Sequence, residues 1–325
     1  MPRVLIVGGA GYIGSHMVDM LQSKGYAVTV LDDFSTGYRD AISGVELVEG
    51  RLGDASVLDA VFASQAFDAV MHFAAYIEVG ESVREPGKYY ENNFAQTQVL
   101  LEAMRRHAVE CFIFSSTAAV YGMPQHIPIA EDHPLAPINP YGRSKLAVEW
   151  MLQDYATAHG LRFATLRYFN AAGADPGGRL GERHEPESHL IPLVLQAASG
   201  RRDGITVFGR DYDTPEGTCI RDYVHIVDLC AAHELALQQL LAGGAGGIYN
   251  LGNGQGFSVQ QVIDTVRQVT GRDFVVHDGD RRPGDPSRLV ADSRRAMQEL
   301  GWRPAFAELA TMVEHAWAWE QRPRG

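Results

Sequence analysis

The sequence predicts an α/β fold: a doubly wound parallel sheet, followed by a smaller mixed α/β unit. Three features of the chain predict it. Short β-branched apolar runs alternate with longer helical patterns through the first half, the signature of βαβ units. The runs are apolar throughout, as in Val4-Leu5-Ile6-Val7, and so suit strands buried on both faces of a parallel sheet. Beyond about Asn170 the texture changes to shorter elements and to segments rich in Gly, Pro and charge.

In chain order, residues 4–7, 28–31, 69–73, 111–114 and 163–167 read as strands, with helices at 14–24, 57–63, 93–107 and 141–159 between them. Residues 174–188 and 212–218 read as long loops, and 190–199, 227–241, 259–269 and 307–321 as later elements. The expected division is a nucleotide-binding unit over 1–173 and a ligand-facing unit over 174–325. Residues 226–241 and 247–250 are candidates to return and pack on the first unit.

A chain of 325 residues has room for one large or two modest domains. Its net charge of −12 provides no chain-wide basic field for nucleic acid or anionic lipid. An anionic small ligand would have to meet arginines gathered locally. Cys111, Cys219 and Cys230 are scattered and form no Cys-x-x-Cys, which argues against a disulfide framework and a cysteine zinc site and fits a reducing compartment. No metal is expected. The apolar start is too short for a signal peptide. The longest run without Asp, Glu, Lys or Arg, residues 111–130, is broken by Ser, Thr, Gly and Pro, whereas a membrane helix needs about 20 mostly apolar residues. A soluble, cytoplasmic protein is expected, with neither membrane nor nucleic acid as partner.

The first strand runs into Gly8-Gly9-Ala10-Gly11-Tyr12-Ile13-Gly14 and then a helical pattern. Such a turn brings backbone close to a pyrophosphate at a helix N-terminus. Asp32 closes the second strand, 18 residues after Gly14 (32 minus 14). An acid there accepts hydrogen bonds from ribose hydroxyls and repels a 2′-phosphate, favouring NAD over NADP. This is the pattern of a Rossmann-type dinucleotide-binding sheet, with NAD as the expected cofactor.

Tyr141-Gly142-Arg143-Ser144-Lys145 opens a helix after Asn139-Pro140. Residues four apart share a helix face, so phenol and ammonium point the same way. A neighbouring cation, with a positive nicotinamide ring, favours the phenolate and makes a base near neutral pH. Upstream, Phe114-Ser115-Ser116-Thr117 leaves a strand, where a hydroxyl can hold a substrate oxygen.

Further segments carry a resemblance over nearly the whole chain. Among them are His72-Phe73-Ala74-Ala75, Tyr89-Tyr90-Glu91-Asn92-Asn93, Leu166-Arg167-Tyr168-Phe169-Asn170, Arg221-Asp222-Tyr223-Val224-His225 and Tyr249-Asn250-Leu251-Gly252. They resemble the extended short-chain dehydrogenase/reductase superfamily and, within it, the UDP-glucose 4-epimerases. The resemblance implies reversible inversion at C4 of a UDP-hexose through a 4-keto sugar, with retained NAD. It gives Tyr141 the role of base, has Thr117 hold the C4 oxygen, and has Lys145 bind the nicotinamide ribose. It implies cofactor contacts from Gly8, Gly11, Tyr12, Ile13, Gly14, Asp32, Asp33, Leu52, Phe73, Ala74, Ala75, Asn92, Ser115 and Tyr168, besides Tyr141 and Lys145. Substrate contacts are implied for Asn170, His189, Leu190, Thr206, Phe208, Arg221, Arg282, Asp285 and Leu289, besides Thr117 and Tyr141. Single arginines are otherwise read as solvated surface, and Arg201, Arg202 and Arg281 keep that reading. A homodimer is implied, paired through 93–107 and 141–159.

Dehydratases of the superfamily usually carry Asp-Glu after the active-site Thr, to protonate a departing hydroxyl. Here Ala118-Ala119 follow, so inversion is expected in place of elimination. Arg51, Asp33 and Ile77 depart from residues common in the family near the cofactor. Leu289 stands where some members have Tyr, leaving room for an N-acetylated sugar. The alternatives are a 4-epimerase of another UDP-sugar (N-acetylhexosamine, pentose or uronate) and a non-catalytic NAD-binding sensor.

Overall fold

The apolar runs of the first half form the central strands of one sheet. The structure is a computed structural model that describes residues 1–282 and 284–322. Its first half holds β1 (Arg3–Val7), α1 (Tyr12–Ser23), β2 (Ala27–Asp32), β3 (Glu46–Glu49), α2 (Ala55–Ser64) and β4 (Ala69–His72). Then follow α3 (Val79–Arg84), α4 (Pro86–Tyr89), α5 (Gln96–Arg106), β5 (Cys111–Thr117), α6 (Pro140–His159) and β6 (Arg162–Tyr168). The second half adds β7 (Asn170–Ala172), α7 (Leu190–Ala198), β8 (Ile205–Phe208), β9 (Ile220–Arg221), β10 (Tyr223–His225), α8 (Ile226–Leu241) and β11 (Gly246–Leu251). It closes with β12 (Phe257–Ser258), α9 (Val259–Thr270), β13 (Val276–Gly279), β14 (Arg288–Leu289), α10 (Arg294–Glu299) and α11 (Leu309–Glu320).

The sheet has seven strands in the order β11-β6-β5-β4-β1-β2-β3, and every neighbouring pair is parallel. Alternate residues of β1 serve opposite faces. Val4 and Ile6 pack with Met17, Leu21, Leu229 and Leu237 of α1 and α8, while Leu5 and Val7 pack with Leu58, Leu100, Met104 and Val148 of α2, α5 and α6. Burial on both faces is why the run carries no polar residue. Strand order reverses between β1 and β4, and ligands of such sheets lie beyond the carboxyl ends of the strands at that reversal.

Residues 226–241 and 247–250 do return: α8 joins one face of the sheet, and β11 becomes its seventh strand beside β6. β3 was not read from the sequence, because Glu46-Leu47-Val48-Glu49 is an edge strand with charged ends and half-exposed apolar residues. The expected helix over 93–107 begins instead as a π-helical turn, Tyr90–Ala95, before α5. A smaller core under α7, α9 and α11 supports the second half.

The catalytic-looking helix α6 has clear ends. Asn139 accepts the Gly142 N–H at 2.8 Å, Pro140 stands at the first turn, and Gly160 closes the helix in the left-handed region. Its middle is fixed by charge. Glu149 and Arg167, both essentially inaccessible, pair with Arg167 Nε 3.0 Å from Glu149 Oε1. Ser116 donates to the same carboxylate at 2.5 Å; Arg167 donates to Tyr121 at 2.9 Å, and Tyr121 to Asn250 at 2.6 Å. The network joins α6 to β5, β6 and β11. Breaking a buried pair from one side costs about 3–5 kcal/mol, because a naked charge remains. Glu149→Leu should therefore lose about that much in urea unfolding, and Glu149→Leu/Arg167→Met should recover a large part of it. A double variant as unstable as the sum of its singles would show that the two charges are not coupled.

Candidate active site

Gly8 follows β1 at a φ of +80°. A Cβ there would lie 2.4 Å from the Ala74 nitrogen, so only glycine lets the turn after β1 pass the exit of β4. Gly11 precedes α1, and a Cβ there would meet only the Gly8 carbonyl, at 3.6 Å. No side chain caps α1. The space a side chain would fill is thus a cradle at a helix N-terminus, where backbone N–H groups favour an anion such as a pyrophosphate. At the end of β2, Asp32 Oδ2 accepts the Ala10 N–H and Oδ1 the Phe34 N–H, both at 2.8 Å. Asp32 therefore pins the turn as well as facing the cleft. Burial raises its pKa and the two N–H groups oppose that rise. The cradle and the acid together fit a dinucleotide.

The second group of residues meets where β5 ends. Thr117, the last residue of β5, accepts the Ala119 N–H at 3.1 Å. α6 begins against that turn: a Cβ on Gly142 would stand 2.6 Å from the Ala119 carbonyl. This close approach brings Tyr141 and Thr117 to the wall of one cleft. Lys145, one helical turn on, donates to the Ser115 carbonyl at 2.9 Å and lies 4.8 Å from the centre of the Phe114 ring. Asn93, on the π-helical turn, holds Tyr76 through N–H and C=O at 2.9 and 3.0 Å and reaches Ser144 at 3.3 Å.

The opposite wall carries arginines. Arg221 pairs with Asp285 and donates to the carbonyls of Ile220 and Pro286 at 2.8 and 2.9 Å. Arg282 stacks 4.1 Å above the centre of the Phe208 ring. Asn170 is anchored through its amide to the Asp222 carbonyl at 2.7 Å. The glycine turn, Asp32, Thr117, Tyr141, Lys145, Asn170, Arg221 and Arg282 line one cleft of about 1590 Å³, along with Leu52, Phe73, Ala75, Asn92, Tyr168, His189, Leu190, Thr206 and Leu289.

The chain matches the model of the NAD dependent epimerase/dehydratase family over residues 4–252. It is also 51% identical over 323 residues to a UDP-glucose 4-epimerase of Halalkalibacterium halodurans, across 99% of this chain and 97% of that one. The chain belongs to the NAD dependent epimerase/dehydratase family. The fold agrees. It is similar to the crystal structure of UDP-glucose 4-epimerase from Brucella ovis in complex with NAD, with a TM-score of 0.96 and 48% identity over 98% of each chain. It is similar as well to UDP-glucose 4-epimerase from Bifidobacterium longum in complex with NAD+ and UDP, with a TM-score of 0.92 and 37% identity over 98% of each chain.

Some expectations for this member of the epimerase/dehydratase family need correction. Ser115 does not line the cleft among the described residues. Its side chain faces His233 at 3.3 Å, and its carbonyl is what serves the site, by holding Lys145. Arg202, read as solvated surface, is indeed exposed, and it also lines the cleft. The phenol of Tyr141 is not lowered by the protein's own groups. Burial raises it and Thr117 pulls it back only in part. The same burial lowers Lys145 to about 7, against Glu149.

Sequence reasoning also missed residues. Glu182, His184 and Glu187 line the cleft inside a segment taken for a plain loop. Asn93 and the Glu149–Arg167 pair were missed because their partners are remote in sequence.

The depressed Lys145 pKa has a stability consequence of definite sign. Between about 7 and the ordinary 10.5, the unfolded chain binds more protons than the folded one, so stability rises with pH across that window. The penalty is fully present below it. Lys145→Met in the cofactor-free protein should be more stable than wild type near pH 6–7, by an amount on the order of a few kcal/mol. That advantage should fade towards pH 10 in urea unfolding. A pH-independent difference would mean that Lys145 is not a depressed base.

Proposed function

We propose that this protein interconverts the C4 epimers of a UDP-hexose, UDP-glucose and UDP-galactose, with NAD as its cofactor. One observation carries the reading. Tyr141, Lys145 and Thr117 share a cleft with a dinucleotide cradle on one wall and arginines on the other, and the residues after Thr117 are alanines. When bound, NAD supplies the hydride acceptor and donor for C4. The 8–14 turn would hold its pyrophosphate and Asp32 its ribose.

Tyr141 Oη takes the proton of the C4 hydroxyl and later returns it, while Thr117 Oγ1 orients that oxygen. Lys145 Nζ, anchored on the Ser115 carbonyl, would hold the nicotinamide ribose. Burial alone opposes the phenolate, so the cationic help that Tyr141 needs would come from the charge on the cofactor ring. Inversion requires one phenol to serve both faces of the sugar, so the wall must grip UDP and leave the hexose free to turn. Arg221 is preorganised for that grip by Asp285 and two carbonyls, and Arg282 by its stack on Phe208. Ala118 and Ala119 give no proton to a leaving hydroxyl, which favours inversion over elimination.

No helix among the described residues is long and apolar enough to cross a membrane. Three free, buried cysteines suit a reducing cytoplasm. A homodimer through α5 and α6 is supported by Trp150 on α6, 57% exposed, an unusual setting for Trp outside an interface.

Tyr141→Phe should lower turnover about 10²–10⁴-fold, the usual worth of general acid–base catalysis, and leave UDP-sugar affinity nearly unchanged. NMR of the epimer ratio with time measures the first quantity and calorimetry the second; an enzyme within a factor of a few of wild type would remove Tyr141 as the base. The preferred sugar depends on Leu289, which lines the cleft and packs beside the cluster of Ala118, Tyr121 and Leu146. Leu leaves more room here than the Tyr that some family members carry, so wild type should also epimerise UDP-N-acetylglucosamine. Leu289→Tyr should lose that substrate selectively, since overpacking costs about 1–3 kcal/mol. Equal loss on both sugars would show Leu289 to be core only.

A further inference from the structure

Outside the Tyr141 chemistry, four nitrogen and oxygen donors converge on the loop between β7 and α7. His189 Nδ1 lies 2.8 Å from Glu182 Oε1 and 3.1 Å from Glu187 Oε1. His184 Nδ1 lies 3.2 Å from Glu182 Oε1 and 3.8 Å from Glu187 Oε2. One donor atom from each of the four residues falls within 4.8 Å of all the others. A tetrahedral cation with ligand bonds of about 2.0–2.2 Å needs donor–donor edges of roughly 3.3–3.6 Å, and the four distances bracket that range.

A second observation comes from His184. Its Nδ1 is buried and makes no hydrogen bond, although a carboxylate oxygen stands 3.2 Å away. The ring nitrogen therefore stands near Glu182 without a hydrogen bond to it, whereas His189 Nδ1 does bond to Glu187 Oε1. Glu182 itself is only 8% exposed, and the Tyr12 ring stands edge-on to His184 at 6.4 Å, so the cluster is walled from bulk water on that side. The ligand spacing, Glu-x-His-x-x-Glu-x-His over 182–189, lets one short loop chelate without closing a long one.

We propose that Glu182, His184, Glu187 and His189 bind one divalent transition-metal cation of the Zn²⁺ class, as a structural clasp on the wall of the cleft. Two imidazoles with two carboxylates suit Zn²⁺ or Co²⁺, whereas Ca²⁺ and Mg²⁺ prefer oxygen donors alone. Four protein ligands close the coordination sphere, the mark of a structural site and not a catalytic one. The clasp would fix His189, which immediately precedes α7, and with it the Leu190 end of the substrate wall. The competing occupant is a proton on each imidazole, which would make the cluster a plain ion-pair lock.

Tag-free, full-length protein, dialysed against EDTA and checked by circular dichroism, distinguishes the two. Titration with Co²⁺ should give one equivalent bound and the intense visible bands of tetrahedral cobalt, lost when Zn²⁺ displaces it. Zn²⁺ should also raise the midpoint of thermal unfolding. His184→Ala should abolish both signals. Glu187→Gln, which preserves shape and keeps the result readable if the first variant folds poorly, should weaken the metal at least about tenfold. The proposal fails if wild type binds no more Co²⁺ than His184→Ala, or if its bands are weak and octahedral and the same in both variants.

Discussion

Removing a guanidinium and a carboxylate from water costs several kcal/mol per ion, and only good geometry with further hydrogen bonds offsets it. The Glu149–Arg167 pair meets that condition: Ser116 and Tyr121 saturate it. Its position explains much of the site. Tyr141, Lys145 and Glu149 follow one another at four-residue intervals on α6, so they share its inward face. Ser116 is the neighbour of Thr117, and Arg167 the neighbour of Tyr168. Fixing the ion pair therefore fixes the helix that bears the phenol against the two strands that bear its partners.

The cleft itself follows from the reversal of strand order between β1 and β4. Chain leaving β1 must turn sharply into α1, and the crowding at Gly8 against Ala74 allows no side chain there. The cradle is the by-product of that turn. On the other side, the chain does not stay in a separate second unit. It returns as α8 and β11 to complete the sheet, and this return stations β9 and β14, with Arg221 and Leu289, across from Tyr141. A ligand with two phosphates can then be met by arginines in a protein whose net charge is −12, since the cations are local.

Electrostatics inside the cleft oppose the chemistry as much as they serve it. Burial raises the phenol and lowers the ammonium, so neither group is held in its charged form by the protein alone. On the proposed function, a cationic cofactor ring would supply the charge that favours the phenolate. The same burial makes Lys145 a stability cost below its ordinary pKa.

Local chemistry was legible in the chain. Apolar strands without alternation specified a sheet covered on both faces, because a polar residue there would be stranded. The glycines at 8, 11 and 14, and the Tyr141-to-Lys145 interval, could be read because their meaning depends on backbone geometry within a few residues. What depended on remote partners could not be read. β3 needed its edge position beside β2, and Ser115 served through a carbonyl that has no sequence signature. The convergence of Glu182 with His184, Glu187 and His189 required the loop to fold back. Sequence determined which groups were available and how each turn and helix began; the tertiary structure decided which of them met, because burial and approach distance are properties of the packed chain.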